Sequence, residues 1–289
     1  MAKRTTKAEG HAPDGLRTAK DPKGPGEKGH KPTNGAREMS DEEQPESGDE
    51  EQPVPGDEED EAQGEFEIPP DPRVLKALTE NPLHWIQALC ELIDNSIDSF
   101  WAARAAGRAV DDPRIELFIP GATEVSRGEG RLIIRDNGPG MDREGLRNAL
   151  RAGYTHKGRF DRLGLFGMGF NIATGKIGQR TVITTARAQD GFASRSILDL
   201  PNLIERDSFV IPYEEVPKPD GLEQGTIVEV SNWWPHGHGN EKFALKIAQQ
   251  PQAAVVGNIG RRYSTILREM TDLGRVSILA DGEQVVGYQ

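Results

Sequence analysis

The sequence predicts an α/β fold, in which helices alternate with the strands of a sheet. A long amphipathic segment between Asn81 and Gly107 has the period of a helix. Several short segments farther along alternate apolar and polar residues, as half-buried strands do. Glycine-rich turns separate the two kinds of segment, so a mixed layer arrangement is expected.

Residues 1–66 differ in composition from the rest of the chain. They hold 18 acidic and 9 basic residues, a net charge of −9, which leaves −3 for residues 67–289. Aliphatic and aromatic side chains are nearly absent there, so too little apolar surface can be buried to offset chain entropy. We predict a disordered acidic tail at 1–66, a folded domain at 67–250, and a C-terminal helix and hairpin at 251–289.

Composition and charge also argue against several classes of function. A net charge of −12 argues against adhesion to nucleic acid through the whole chain, although a local patch such as Arg261-Arg262 leaves a DNA-linked role open. The N-terminus lacks the apolar core of a signal peptide, and no segment approaches a membrane span, so we predict a cytoplasmic protein without a membrane partner. Cys90, the single cysteine, lies among apolar neighbours and is predicted to pack in the core.

The first helix has two distinct faces. Its apolar face consists of Leu89, Ile93, Ile97, Phe100 and Trp101. Its opposite, polar arc consists of Glu91, Asp94, Asn95 and Asp98. The pattern predicts a helix whose apolar face packs on a core and whose polar face presents acidic groups.

The remaining elements follow in order. Strands are predicted at 115–119, 131–135, 181–186, 194–198 and 226–230, and helices at 143–152, from 170 onward, and at 241–270 with a break at Pro251. The stretch from 153 to 169 is polar, rich in glycine and long enough for a functional lid. Residues 276–286 predict a hairpin that turns at Asp281-Gly282.

Glu91 and Asn95 are four residues apart and project from adjacent turns of the first helix. Hydrolysis of a phosphoanhydride needs a group that activates water and a metal ion that gathers phosphate charge. Glutamate suits the first task, and asparagine oxygen suits Mg²⁺. Taken alone, the pair is more typical of a solvated acidic helix face.

The segment Asp136-Asn-Gly-Pro-Gly-Met141 follows a predicted strand. Its aspartate can accept a hydrogen bond from the exocyclic amine of adenine, and Gly138 and Gly140 allow close backbone approach. The alternative is an acidic β-turn without a ligand. The helix upstream and the glycines downstream favour the nucleotide site.

A glycine run, Gly164-x-x-Gly167-x-Gly169, precedes a predicted helix whose free N–H groups suit an anionic triphosphate. It lacks the Gly-Lys-Ser/Thr of a Walker loop, and no preceding βαβ unit supports a dinucleotide fold. A lone glycine triplet is more often a flexible loop. Its order and spacing after the other two segments favour a phosphate-binding role.

These segments resemble the N, G1 and G2 boxes of the GHKL superfamily of ATPases, typified by DNA gyrase, the ninety-kilodalton heat-shock chaperone, histidine kinases and MutL. Gly225-Thr226 resembles the fourth box, and the resemblance spans 82–231. It implies the Bergerat fold, a two-layer α/β sandwich whose mixed, mostly antiparallel sheet is covered by helices on one face. ATP and Mg²⁺ are the implied ligands.

The resemblance also implies roles for single residues. Glu91 would be the general base, Asn95 the Mg²⁺ ligand, and Asp136 the residue that binds adenine. The base and ribose would be lined by Gly138, Gly140 and Met141. The phosphate-covering lid would contain Gly164, Gly167, Met168, Gly169 and Phe170. Thr226 would help to hold the aspartate.

Within the superfamily, the sequence from 149 to 171 resembles the lids of MORC and chaperone-like members. That resemblance makes Lys157 a candidate phosphate contact, with a solvated loop lysine as the alternative. MORC-like lids often carry lysine where this chain has Asn171. Hydrolysing members continue into a transducer domain, and the C-terminal hairpin is interpreted as a possible first part of it. Trp233-Trp234 is predicted to pack against a neighbouring domain or subunit rather than a ligand.

The implied function is an ATP-hydrolysing module that acts as a nucleotide-driven conformational and dimerisation switch and is slow in isolation. The alternative is a non-catalytic nucleotide-binding module that assembles with a DNA-processing or other partner. A protein kinase is disfavoured because histidine kinases of this superfamily lack the glutamate that Glu91 supplies.

Overall fold

A computed structural model of the chain describes residues 73–151, 169–268 and 275–288. The predicted tail at 1–66 and nearly all of the predicted lid lie outside these residues. The described strands are β1 (Arg114–Phe118), β2 (Leu132–Asp136), β3 (Arg180–Ala186), β4 (Ala193–Asp199), β5 (Tyr213–Val216), β6 (Gly225–Ser231), β7 (Ser277–Ala280) and β8 (Glu283–Gln284). The described helices are α1 (Arg73–Thr79), α2 (Trp85–Ala105), α3 (Ala122–Ser126), α4 (Arg143–Leu150), α5 (Gly169–Ile177), α6 (Leu200–Glu205), α7 (Phe243–Ala248), α8 (Gln252–Arg262) and α9 (Ser264–Arg268).

The strands form one sheet in the order β5-β4-β3-β6-β2-β1-β7-β8. Only β1 and β7 run parallel, and every other neighbouring pair of described strands is antiparallel. The predicted mixed, mostly antiparallel sheet is confirmed. The C-terminal hairpin adds its two strands to the edge of this same sheet.

One face of the sheet is apolar and covered by helices. Alternate residues of β2, Leu132, Ile134 and Asp136, are buried on this face. The opposite face carries charged pairs, such as Arg131 with Glu229 at 3.1 Å. Helix α2 lies on the apolar face, and its predicted apolar side supplies the buried residues Leu89, Ile93, Ile97 and Phe100. The predicted two-layer sandwich is therefore confirmed.

Several short elements were not predicted from the sequence: α1, α3, α6 and β5. The three helices have at most seven residues, about two turns or fewer, and β5 does not alternate apolar and polar residues. The predicted C-terminal helix breaks at Pro251, as expected, and α8 also ends at Arg262. Among the described residues, no helix is both long and apolar enough to cross a membrane.

The prediction that the tryptophan pair packs against a neighbouring domain or subunit is wrong for Trp234. This side chain is buried in the domain's own core, where its Nε1 donates to the Gly175 carbonyl at 2.7 Å and its ring stacks on His238. Trp233 is half-buried and donates to the Glu129 carbonyl at 2.8 Å. Apolar character indicated burial, but the partner depends on tertiary packing. Cys90 is buried, as predicted, and burial raises the pKa of its thiol to about 11.

Candidate nucleotide-binding site

Asp136 ends β2 and turns its carboxylate into the layer beneath α2. Its Oδ2 accepts from Ser96 Oγ at 2.9 Å, and its Oδ1 accepts from the Gly138 N–H at 2.8 Å. Burial raises the pKa of this carboxyl to about 6, and the hydrogen bonds from Gly138 and Ser96, with the nearby backbone of Thr226, oppose that shift. The result is a carboxylate in a fixed orientation in a largely dry site.

Ionisation of Asp136 should therefore destabilise the empty domain. The folded-state pKa of about 6 lies above the ordinary value of 3.8, so the folded protein holds the proton more tightly than the unfolded chain. The resulting loss of unfolding free energy is absent below about pH 4 and complete above about pH 6, where it reaches ~3 kcal/mol. Chemical denaturation of wild type and Asp136→Asn from pH 4 to 7 should show wild type losing stability relative to the variant as pH rises. A stability difference between the two proteins that does not change with pH would contradict the raised pKa of Asp136.

The turn after Asp136 packs tightly against its surroundings. A Cβ at Gly138 would lie 2.6 Å from Ser99 Oγ, and one at Gly140 would overlap the Ala186 carbonyl of β3. Gly140 also has a φ of +67°, a conformation that other residues rarely adopt. Met141 follows, half-buried, and its N–H donates to Thr185 Oγ1 at 2.9 Å. The glycines thus let this turn press against α2 and β3.

Gly140→Ala is expected to lower the free energy of unfolding by more than ~2 kcal/mol, because both the positive φ and the overlap with Ala186 must be relieved. Gly128→Ala is the matched control. Gly128 has a φ of +76°, and an added methyl group would meet only open space there, so only the backbone cost of ~1 kcal/mol applies. Thermal or urea unfolding of both variants measures the difference. Equal losses would show that the close approach to β3 is unimportant.

The fourth predicted box lies beside Asp136. Gly225 has a φ of +121°, and a Cβ there would overlap the Asp136 carbonyl. Thr226 Oγ1 lies 3.1 Å from Thr185 Oγ1, which joins β6 to β3 behind the turn. Sequence reasoning missed Thr185 and Ser96. Ser96 directly follows Asn95 in the first motif, so its position could have indicated a role in the site. Thr185 is one of several threonines in β3, and nothing in the sequence distinguishes it.

The other part of the site is the polar face of α2. Glu91 is half-buried, and burial raises the pKa of its carboxyl, with Asp94 adding to the rise and Arg262 opposing it. Asn95 is exposed, and its Nδ2 donates to the Glu91 carbonyl at 2.8 Å. That bond leaves the amide oxygen as the group that can take a cation. Ser96 lies five residues after Glu91, roughly 7.5 Å along the helix axis.

The start of α5 meets Glu91. A Cβ at Gly169 would overlap the Glu91 carboxylate, so the first residue of this helix lies directly against the predicted base. Phe170 is half-buried next to it. Asn171 is buried, its Nδ2 donates to the Leu150 carbonyl at 3.4 Å, and its Oδ1 has no hydrogen-bond partner among the described residues. The predicted lid residues Lys157, Gly164, Gly167 and Met168 lie outside the described residues.

The donor set fits a nucleotide with magnesium. A buried acceptor suits an amine of the base, and glycines stand where a Cβ would block close approach. Within 73–151, 169–268 and 275–288, no group of three or more His, Cys, Asp and Glu residues could hold a metal ion. A Mg²⁺ ion at Asn95 would therefore take most of its ligands from phosphate and water, as it usually does.

Comparisons with known proteins agree with this geometry. Residues 84–220 match the family model of histidine kinase-, DNA gyrase B-, and HSP90-like ATPases. Among curated proteins, the chain is similar to MICRORCHIDIA 3 of Arabidopsis thaliana, at 28% identity over 110 residues, covering 38% of this chain and 17% of that protein. MICRORCHIDIA 7 of the same plant is 31% identical over 116 residues, covering 39% of this chain and 15% of that protein.

The matched part of the chain therefore spans less than a fifth of either relative. The comparisons, the confirmed sheet and the contacts among the described residues of the predicted boxes lead to the same assignment. The matched region, 84–220, is an ATP-binding module of the GHKL superfamily of ATPases, with a MORC-like relationship.

Proposed function

We propose that this domain hydrolyses ATP, which it binds along α2 from Asp136 to Glu91. The observation that carries the proposal is the contact between Gly169, the first described residue of α5, and the Glu91 carboxylate. The proposal places the N-terminus of α5 at this glycine, and a helix N-terminus attracts phosphate through its free N–H groups and its dipole. A carboxylate at the same point can act on a water molecule beside that phosphate.

At the other end, Asp136 binds adenine. A carboxylate has roughly four acceptor positions, and Ser96 and Gly138 use two of them. A remaining position accepts from the exocyclic amine. Gly138, Gly140 and Met141 line the base and ribose, and Thr226 supports Asp136 from β6.

In the reaction, the water oxygen attacks the γ-phosphorus while Glu91 accepts the proton of that water. The bond from the γ-phosphorus to the bridging oxygen breaks, which yields ADP and phosphate. Burial raises the pKa of Glu91 and so strengthens it as a base. Asn95 would hold the Mg²⁺ ion, which, when bound, gathers negative charge on the phosphate oxygens.

The output we propose is a switch. Gly164, Gly167, Met168, Gly169 and Phe170, with Lys157, would close over the triphosphate, and the closed form would favour a dimer or a partner protein. A ligand stabilises whichever state it binds more tightly, so a γ-phosphate contact is what would separate ATP from ADP. The alternative remains a non-catalytic nucleotide-binding module that assembles with a DNA-processing or other partner.

Three measurements on the full chain test the proposal. Calorimetry reports binding of ATP, ADP and a non-hydrolysable analogue, phosphate release reports turnover, and light scattering reports mass. Slow turnover with a mass increase under the analogue but not under ADP is expected. Binding without turnover would favour the alternative, and absence of nucleotide binding would contradict both functions.

A further inference from the structure

Two consecutive residues at the C-terminal end of α8 donate hydrogen bonds to Asp94 of α2. Tyr263 Oη donates to Asp94 Oδ1 at 2.6 Å, and Arg262 Nη2 donates to Asp94 Oδ2 at 2.7 Å. The tyrosine hydroxyl also lies 3.1 Å from the Cys90 carbonyl of the same helix. We call Asp94, Arg262 and Tyr263 the bracket. Both oxygens of the carboxylate are engaged, so the bracket fixes the side chain in one orientation.

The bracket holds the turn of α2 that carries the proposed chemistry. Asp94 lies three residues after Glu91 and directly before Asn95, and residues three apart on a helix are neighbours. The Tyr263 side chain is buried, and the Asp94 side chain is only 16% exposed. Shielding from water strengthens the bond between Tyr263 and Asp94, whereas the Arg262 side chain is 41% exposed and its pair with Asp94 is partly screened.

Helix α8 is itself anchored to the sheet. Its Val255 and Ile259 are buried in the core, and Gln252 Nε2 donates to the Ala280 carbonyl of β7 at 3.2 Å. Strand β7 pairs with β1. The bracket therefore connects the catalytic turn to a segment that lies after the residues matched by the family model, 84–220.

Hydrogen bonds supplement the packing between α2 and α8. An open cavity of about 330 Å³ lies at the surface beside the two helices and is lined by Ile86, Gln87, Cys90, Asn258, Arg261 and Arg262. Side chains do not fill this surface region, so the directional hydrogen bonds of the bracket add to the contacts of the buried residues. Arg262 also neutralises one of the carboxylates on the face of α2 that would approach a triphosphate.

We propose that Arg262 and Tyr263 are positioning residues for ATP hydrolysis, which act through Asp94 to hold the turn that presents Glu91 and Asn95. This inference rests on the proposed function and adds to it a structural connection from the C-terminal segment to the catalytic helix. A misplacement of about 1 Å in a catalytic group is enough to cost up to about 10²-fold in rate.

Tyr263→Phe and Arg262→Met test the proposal. Each is expected to lower turnover about tenfold while affinity for a non-hydrolysable ATP analogue changes less than about threefold, because the bracket orients a group that acts on water. Arg262→Lys keeps the charge and should recover part of the rate. Arg131→Met is the control, since it breaks the Arg131–Glu229 pair on the far face of the sheet and should leave turnover unchanged.

A double-mutant cycle separates positioning from general destabilisation. In a Glu91→Gln background, measured by single turnover at high protein concentration, Tyr263→Phe should cause a smaller fractional loss than in the native background, because only Asn95 remains of the two groups that the bracket positions. The same fractional loss with and without Glu91 would overturn the proposal. So would unchanged turnover in a folded Tyr263→Phe protein.

Amide hydrogen exchange of residues 90–98 without nucleotide gives a readout independent of hydrolysis. Exchange should be faster in both bracket variants than in wild type and in Arg131→Met. Unaltered exchange would overturn the bracket while wild-type turnover still supported the proposed function. Faster exchange together with a wild type that binds ATP but never releases phosphate would instead overturn hydrolysis, and with it the positioning role.

Discussion

Glu91→Gln is expected to slow ATP turnover by about 10²- to 10⁴-fold and to change nucleotide affinity by less than about threefold. Binding and chemistry separate because Glu91 acts on water rather than on ATP. The amide has nearly the shape of the carboxylate, so the contact with Gly169 at the start of α5 is kept. Phosphate release beside calorimetric titration with a non-hydrolysable analogue measures the two effects on the same protein.

Glu144→Gln provides the matched control. Glu144 lies in the first turn of α4, its side chain is 74% exposed, and it pairs with Arg147 at a distance of 3.8 Å, so the same chemical change there should leave both quantities unchanged. Wild-type turnover in a folded Glu91→Gln protein would remove this residue from the mechanism and leave an ATP-binding domain.

Asp136→Ala is expected to weaken binding of adenine nucleotides by about 10- to 150-fold, the ~1.5–3 kcal/mol of a hydrogen bond to a charged group. The native protein should also discriminate against GTP. Guanine presents a carbonyl oxygen where adenine presents an amine, and two acceptors would then face each other in a buried site. Competition calorimetry with ATP and GTP measures the preference.

Truncation of Asp136 also leaves the buried donors of Ser96 and Gly138 without their acceptor, so the fold of the variant must be checked by thermal unfolding. Asp136→Asn, which keeps one acceptor oxygen, serves as the milder variant and should lose the preference for ATP over GTP. Asp111→Asn, at an exposed loop position, should alter neither affinity nor preference. Comparable ATP and GTP affinities in wild type would contradict the assignment of the adenine end.

The sequence predicted the elements with a clear period or turn signal and missed four short elements without one. Helix α2 has 21 residues, enough for its apolar and polar faces to be separated by period alone. Strand β5, at the sheet edge, has two adjacent glutamates and no alternation, and α6 has six residues, too few to show a helical repeat. Hydrophobic periodicity could not predict the strand order either, because pairing between β1 and β7 joins residues more than 150 positions apart.

The sequence by itself determined which residue types the site contains and in what order, because glycines, a carboxylate after a strand and a polar arc on a helix are local features. Tertiary structure decided which of them meet. Ser96 reaches Asp136 only because β2 ends beneath α2, and Gly169 touches Glu91 only because α5 begins beside the same helix. Tyr263 and Arg262 had no local signal for the site, since their contact with Asp94 bridges nearly 170 residues of chain. A local pattern predicts the structure of its own segment, whereas contacts between segments depend on how the whole core packs.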